Sequence, residues 1–162
     1  MKRGEWGIVI GISVFIAGAM MWKGFQTTQS DKKDFKIPFY STASADVQSK
    51  AATVLRRENC RQCHTLWSTR DLLQAVPAPP LDGIGSLKDE AWLFTYLSAA
   101  RPQDIVPSRL KPEYRHPSLA YLSATERRVL AQYLASLKVE DWYLAEVKKV
   151  EYEKLTGKDY VP

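Results

Sequence analysis

The chain has 162 residues, 45% of them hydrophobic and 25% charged, which suits one modest globular domain with additional segments rather than a large multidomain enzyme. Its two cysteines exclude a disulfide-stapled scaffold and are too few for a cysteine-rich zinc or iron–sulfur site. The formal net charge of +5 permits an acidic partner, nucleic acid or an anionic membrane, but it is too small to discriminate among them.

The first predicted element is an uncharged apolar run from Gly7 to Trp22, preceded by Lys2 and Arg3. With its aromatic and lysine flanks it reaches about 30 Å as a helix, the thickness of a hydrocarbon core, and so predicts one transmembrane helix. A cleaved secretory signal, with Ala17–Ala19 as the cleavage site, is the alternative. Both interpretations export the rest of the chain. We therefore expect a single-pass protein of the bacterial inner membrane whose main domain faces the periplasm.

The remainder of the chain predicts four helices. After a polar segment interrupted by Pro38, which is typical of a tether, helices are expected from Ser44 or Ala45 to about Glu58, after Ser86 or Asp89, after the capping box that begins at Ser123, and from about Asp141 to Leu155. Prolines at 102, 107, 112 and 117 make a helix improbable between the second and third. No alternating strand pattern is present, which predicts an all-α fold with long loops.

The strongest motif is Cys60-Arg61-Gln62-Cys63-His64, which places both cysteines in the C-x-x-C-H spacing that attaches a c-type haem. Two thiols one turn of chain apart can each add to one haem vinyl group, and the adjacent His64 can then bind the iron. A redox-active disulfide would not explain the histidine, and a zinc site would lack the usual second ligand pair. The motif therefore predicts one covalent haem c.

From residue 45 to about 137 the chain resembles class I cytochromes c. The resemblance rests on a helix running into the C-x-x-C-H motif, on the loop Ala78-Pro79-Pro80-Leu81, and on a ligand–proline segment before a C-terminal helix. It implies the class I cytochrome c fold, electron transfer, and a backbone carbonyl of either Pro79 or Pro80 that accepts a hydrogen bond from His64.

The sixth iron ligand departs from that family, which normally uses a methionine before a proline. All three methionines lie in the first 21 residues, whereas the sequence Tyr114-Arg115-His116-Pro117 stands at the family position. We therefore predict an iron bound by His64 and His116, with a lower potential than in His/Met relatives. The alternatives are a surface His116 with five-coordinate iron, or iron bound by a lysine or another group.

The predicted organisation is a membrane anchor (1–25), a tether (26–43), a haem domain (44–137) and a C-terminal helical extension (138–162). Its plan is similar to the anchored mono-haem subunits of nitric oxide reductases and C-family haem–copper oxidases. We therefore expect an electron relay rather than an enzyme, with a redox partner protein, subunits of a membrane respiratory complex and the lipid bilayer as partners, and with no nucleic acid and no small-molecule substrate. An open-coordination haem enzyme or gas sensor, and a cleaved periplasmic shuttle, are the alternatives.

Three further groups of side chains carry weaker expectations. Aromatic residues near the motif would form apolar walls or bonds to the haem propionates: Trp67, Trp92, Phe94 and Tyr96. Basic residues beside the two ligand segments would steer an acidic partner: Arg56, Arg57, Arg61, Arg109, Lys111 and Arg115. The apolar stripe of the extension would pack on the haem domain or dock on another subunit: Val139, Trp142, Tyr143, Val147 and Val150.

Overall fold

The computed structural model describes residues 15, 16, 18, 20, 36–69, 72, 76 and 78–161. The chain divides into two compact units, Met1–Lys36 and Ile37–Pro162. In the first unit the described residues Phe15, Ile16, Gly18 and Met20 are helical. The second unit contains the remaining elements and both predicted ligand segments.

The predicted transmembrane helix, and with it the predicted inner-membrane location, requires correction. Most of residues 7–22 lie outside the described residues, and no helix in the described part of the chain is long and apolar enough to cross a membrane. The α-helices between residues 45 and 156 have at most 13 residues. A helix of that length rises about 20 Å, whereas the hydrocarbon core is about 30 Å thick.

The described residues of the second unit form four α-helices and two short strands. In chain order these are β1 (Phe39–Ser41), α1 (Ala45–Arg57), α2 (Glu90–Ser98), α3 (Ala124–Ser136), β2 (Leu137–Val139) and α4 (Leu144–Thr156). Single 3₁₀ turns occur at Cys60–Gln62, Ile84–Ser86, Pro102–Asp104, Pro112–Tyr114 and Asp141–Tyr143. The four helices lie where the sequence predicts them, and the proline-rich segment before α3 has no α-helix.

Helices α1, α2 and α3 begin at capping residues identified in the sequence. The Ser44 hydroxyl accepts a hydrogen bond from the backbone amide of Val47, and Asp89 accepts one from Trp92 at 2.7 Å. At the start of α3, Ser123 and Glu126 form both halves of a capping box. These side chains satisfy amides that the first turn of a helix leaves without a partner.

The prediction that the fold is all-α is wrong, because β1 and β2 form a two-stranded antiparallel sheet. Phe39 lies opposite Val139 and Ser41 opposite Leu137. The sheet joins the segment before α1 to the segment directly after α3, and a hydrogen bond of 3.1 Å from the Thr42 amide to the Ser136 carbonyl extends the pairing. Part of the predicted tether is therefore a strand of the second unit.

Helix α3 is the centre of the core, since it packs against both α1 and α2. Its inward face is apolar, and the buried cluster that it organises consists of Ala51, Val54, Leu55, Leu66, Leu93, Leu97, Leu119, Leu122, Leu130, Ala131, Tyr133, Leu134 and Leu137. The turn Ile84–Ser86 lies against the end of α3, where a Cβ on Gly85 would be 2.1 Å from the Ala135 carbonyl oxygen.

The C-terminal extension packs on the same unit. Tyr143 contacts Phe39 edge to face, with ring centres 5.6 Å apart, and Val147 and Val150 line a cavity of about 210 Å³ beside Asp82. Helix α4 ends at Gly157, whose φ of +68° is the left-handed conformation that favours glycine. Trp142, by contrast, is 59% exposed.

Candidate functional site

A cavity of about 390 Å³ brings the two ligand segments together. It lies within the range of about 300–1,000 Å³ that is typical of cofactor sites. The C-x-x-C-H motif, the proline loop, α2, residues 103–119 and the last turns of α4 line it, together with Ile84 and with Leu134 of α3. Its apolar lining includes Pro80, Leu81, Ile84, Leu93, Leu97, Val106, Leu110, Leu119, Leu134 and Leu155.

The motif forms a tight turn directly after α1. Asn59 has φ +52°, a left-handed conformation that asparagine tolerates better than most residues, and the turn Cys60–Gln62 follows. The amides of Cys63 and His64 both donate to the Cys60 carbonyl, at 3.3 and 3.0 Å. This winding turns Cys60, Cys63 and His64 toward one cavity. Burial, and secondarily the charge of Glu58, raises the pKa of the Cys60 thiol to about 11.

The orientation of the His64 ring is fixed by Pro79. The Nδ1 atom of His64 lies 2.6 Å from the Pro79 carbonyl oxygen, so Pro79 rather than Pro80 is the partner that the sequence left open. A carbonyl can only accept, so Nδ1 carries the proton and Nε2 has the lone pair. Burial lowers the pKa of His64, and the bond to Pro79 opposes part of that shift.

His116 faces His64 across the cavity, with ring centres 6.2 Å apart and planes inclined by 56°. Its Nδ1 lies 2.8 Å from the carbonyl oxygen of Pro117, so here too Nε2 has the lone pair. Burial, with a smaller effect of His64, lowers the pKa of His116 to about 4. Gln103 donates to the His116 carbonyl at 2.7 Å, and the Tyr96 ring centre lies 5.2 Å from the imidazole.

The donor set and the spacing of the two imidazoles fit a haem. A metal about 2 Å from one nitrogen of each ring, as in other imidazole–metal bonds, would hold the ring centres about 6 Å apart, close to the observed 6.2 Å. The two thiols lie in the same cavity as both rings. Within residues 36–69 and 78–161, no group of three or more His, Cys, Asp or Glu side chains is arranged to hold a metal ion.

The other predicted site residues divide into two groups. Trp92 and Tyr96 stack at 5.3 Å and line the cavity, whereas Trp67 and Phe94 are not among the residues that line it. Of the basic residues, Arg109 and Arg115 line the cavity, while Arg57 pairs with Glu58 and Glu126 and Arg61 donates to the Thr69 hydroxyl.

Asp82 supports the site, and the sequence interpretation overlooked it. Its buried carboxylate accepts hydrogen bonds from the Trp67 amide at 2.5 Å and the Ser68 amide at 3.1 Å. Both of those residues have positive φ, +56° and +54°, so Asp82 holds a strained turn just after the motif. An acidic residue directly after the Pro-Pro-Leu run was the available signal.

A C-x-x-C pair followed directly by a histidine at an apolar cavity is the arrangement of a haem protein with covalent attachment. The model of the cytochrome c family matches residues 48–138, more than half of the chain, so the chain belongs to the cytochrome c family. It is an electron-transfer protein that binds one covalent haem c and exchanges electrons with a redox partner. No curated protein and no solved structure matches the chain significantly.

Proposed function

We propose that this protein is a mono-haem cytochrome c that relays single electrons and that holds its haem iron between His64 and His116. Cys60 and Cys63 are the proposed attachment residues. The observation that carries the proposal is the pair of imidazole rings 6.2 Å apart in the lining of one cavity. The haem-binding part is proposed to be residues 44–137, with 138–162 as an extension.

The residues around the two histidines support this role by fixing the rings and by lining the cavity with apolar side chains. The haem supplies an iron that gains and loses one electron. The Pro79 carbonyl anchors His64 and the Pro117 carbonyl anchors His116, so that both lone pairs are available at Nε2. Two strong ligands leave no open coordination position. This favours electron transfer over catalysis, and we propose that the protein is not itself an enzyme.

The same pair of ligands implies a lowered reduction potential. A methionine ligand raises the potential of a cytochrome c relative to a histidine, and no methionine occurs between Trp22 and Pro162. The protein is therefore proposed to donate electrons at a lower potential than His/Met cytochromes of the same family.

The proposed redox partner presents an acidic surface. Arg109, Lys111 and Arg115 all belong to the loop that carries His116, and Arg109 and Arg115 line the cavity itself. Positive charge beside the site of electron exchange steers an acidic partner and accelerates its encounter. The rate of electron exchange with an acidic acceptor is expected to fall as ionic strength rises, because salt screens charges beyond about 10 Å.

Electron paramagnetic resonance and near-infrared magnetic circular dichroism of the ferric holoprotein test the ligand assignment. A six-coordinate, low-spin bis-imidazole signature is expected. A high-spin spectrum that shifts on addition of carbon monoxide or nitric oxide would contradict the relay and favour an open-coordination enzyme or sensor. The variant His116→Ala should convert the first spectrum into the second, while His64→Ala should prevent stable haem incorporation.

A further inference from the structure

The loop that carries His116 has little regular structure to fix its own position. This segment, residues 101–117, is called the ligand loop. It contains prolines at 102, 107, 112 and 117, and its turns Pro102–Asp104 and Pro112–Tyr114 are single 3₁₀ turns. Proline cannot donate a backbone hydrogen bond. Contacts from outside the loop are therefore needed to hold His116 opposite His64.

One such contact joins Arg109 of this loop to the C-terminal end of α4. The Nε atom of Arg109 donates to the Lys154 carbonyl at 3.4 Å. That carbonyl belongs to the last turn of α4, where backbone acceptors have no partner within the helix. A guanidinium at this end also meets the negative pole of the helix dipole. Arg109 therefore caps α4 from within the ligand loop.

Gly157 makes room for this cap. A Cβ on Gly157 would lie 3.0 Å from Nε and 3.1 Å from Cδ of Arg109, closer than most side-chain contacts allow. Gly157 also has φ +68°, which a residue with a side chain adopts at a cost. The same glycine thus ends α4 and admits the arginine.

Helix α4 is in turn attached to the body of the unit. Its Val147 lies beside Gly83, and Lys88 approaches Glu151 with Nζ and Oε1 3.9 Å apart. Its last turns contribute Lys154 and Leu155 to the lining of the large cavity. Contacts therefore run from the body of the unit through α4 and Arg109 into the ligand loop.

We propose that Arg109 is a positioning residue for the distal ligand: it ties the ligand loop to α4 and so keeps His116 facing His64. The inference rests on the proposed ligation by the two histidines. Arg109 lies within residues 48–138, the part that the family model matches, whereas α4 lies beyond it.

The test compares holoprotein variants by hydrogen exchange and by carbon monoxide binding. The reporter amides are those of Tyr114 and Arg115, which donate to the Lys111 and Pro112 carbonyls. In Arg109→Ala we expect their exchange to accelerate about two- to five-fold, the effect of losing one favourable charge at a helix end. The rate at which carbon monoxide binds to the ferrous protein should rise by the same factor, because His116 leaves the iron more often.

Three further variants separate positioning from general destabilisation. Arg109→Lys keeps a cation at the end of α4 and should restore most of the wild-type behaviour. Gly157→Ala displaces Arg109 and should act in the same direction as Arg109→Ala. Arg128→Ala removes an arginine of α3 that lies over the Phe94 ring at 5.4 Å, away from the loop, and should change neither readout.

The inference and the proposed function can fail separately. If the amides of Tyr114 and Arg115 exchange at the same rate in Arg109→Ala as in Arg128→Ala, the inference that Arg109 ties the ligand loop to α4 is overturned. Faster exchange with an unchanged rate of carbon monoxide binding would show that Arg109 orders the loop without positioning the ligand, which also overturns the inference. A high-spin wild-type spectrum would refute the ligation itself, and the exchange comparison would still decide whether Arg109 ties the loop to α4.

Discussion

At the scale of single residues, His116 determines the predicted redox behaviour. Replacing it by methionine restores the ligand type usual in the family, so His116→Met should retain the covalent haem and raise the reduction potential. The expected rise is on the order of 0.1 V, within the roughly 0.8 V over which axial ligands set haem potentials. Spectroelectrochemical titration of the purified holoprotein measures it.

A matched control introduces a methionine at an exposed position of the same loop. Lys111→Met changes the composition of the loop without approaching His64, and its potential should stay close to that of the wild type. A potential and spectrum that are the same in His116→Met as in the wild type would mean that His116 is not an iron ligand.

Asp82 is the residue whose loss should most disturb the turn after the motif. Asp82→Ala would leave the amides of Trp67 and Ser68 without their charged acceptor, and one hydrogen bond to a charged group contributes about 1.5–3 kcal/mol. We expect the free energy of unfolding to fall by about 2–4 kcal/mol, measured by urea denaturation. Asp89→Ala, which removes the exposed cap of α2, should cost only about 1 kcal/mol. Equal losses in the two variants would contradict the role given to Asp82.

At the scale of elements, the helices could be predicted because each carries its own local signal. Ser44, Asp89 and Ser123 cap the helices that follow them, as observed, and Gly157 ends the last one. Capping depends on residues within one turn of each other, so the information is contained in a short stretch of sequence.

The two strands could not be predicted in the same way. Each has three residues, too few to show the alternation that identifies a strand. Their pairing joins residues that are far apart in the sequence, with Phe39 opposite Val139 and Ser41 opposite Leu137. The sheet is thus a consequence of tertiary packing rather than of local preference.

The turn Ile84–Ser86 packs against β2 and against the end of α3. Its Gly85 makes the close approach to α3. A Cβ on Gly85 would lie 2.1 Å from the Ala135 carbonyl oxygen and 2.8 Å from that of Leu134, so backbone must move to admit it. Gly85→Ala should lower the free energy of unfolding by about 1–3 kcal/mol, the usual cost of overpacking. Gly18→Ala is the control, because a Cβ there meets no atom within 4 Å. An equally stable Gly85→Ala protein would show that the approach is not tight.

At the scale of the whole molecule, the sequence predicts which residues hold the haem but not how the rest of the cavity is built around them. Cys60, Cys63 and His64 form a contiguous motif, and His116 is the only other histidine in the chain. The choice of Pro79 over Pro80, and the closure of the cavity by Lys154 and Leu155 from α4, depend on how distant segments meet. Such contacts leave no periodic or local trace in the sequence.

Glu126 makes the stability of the whole unit depend on pH, because it joins the start of α3 to the end of α1. Its carboxylate accepts from the Ser123 hydroxyl at 2.7 Å and pairs with Arg57 at 2.7 Å. These bonds, Ser123 first and Arg57 next, lower the pKa of Glu126 from an ordinary value of 4.5 to about 2.

The lowered pKa of Glu126 fixes the direction of the pH effect. As the pH falls below about 4.5, the unfolded chain takes up this proton before the folded one does, so the stabilising contribution is lost progressively toward pH 2. The gap in unfolding free energy between the wild type and Glu126→Gln should therefore be widest above about pH 5 and should narrow as the pH falls, as measured by urea denaturation at each pH. If the difference in unfolding free energy between the wild type and Glu126→Gln stays constant from neutral pH into this acidic range, the carboxylate does not tie α1 to α3 through its charge.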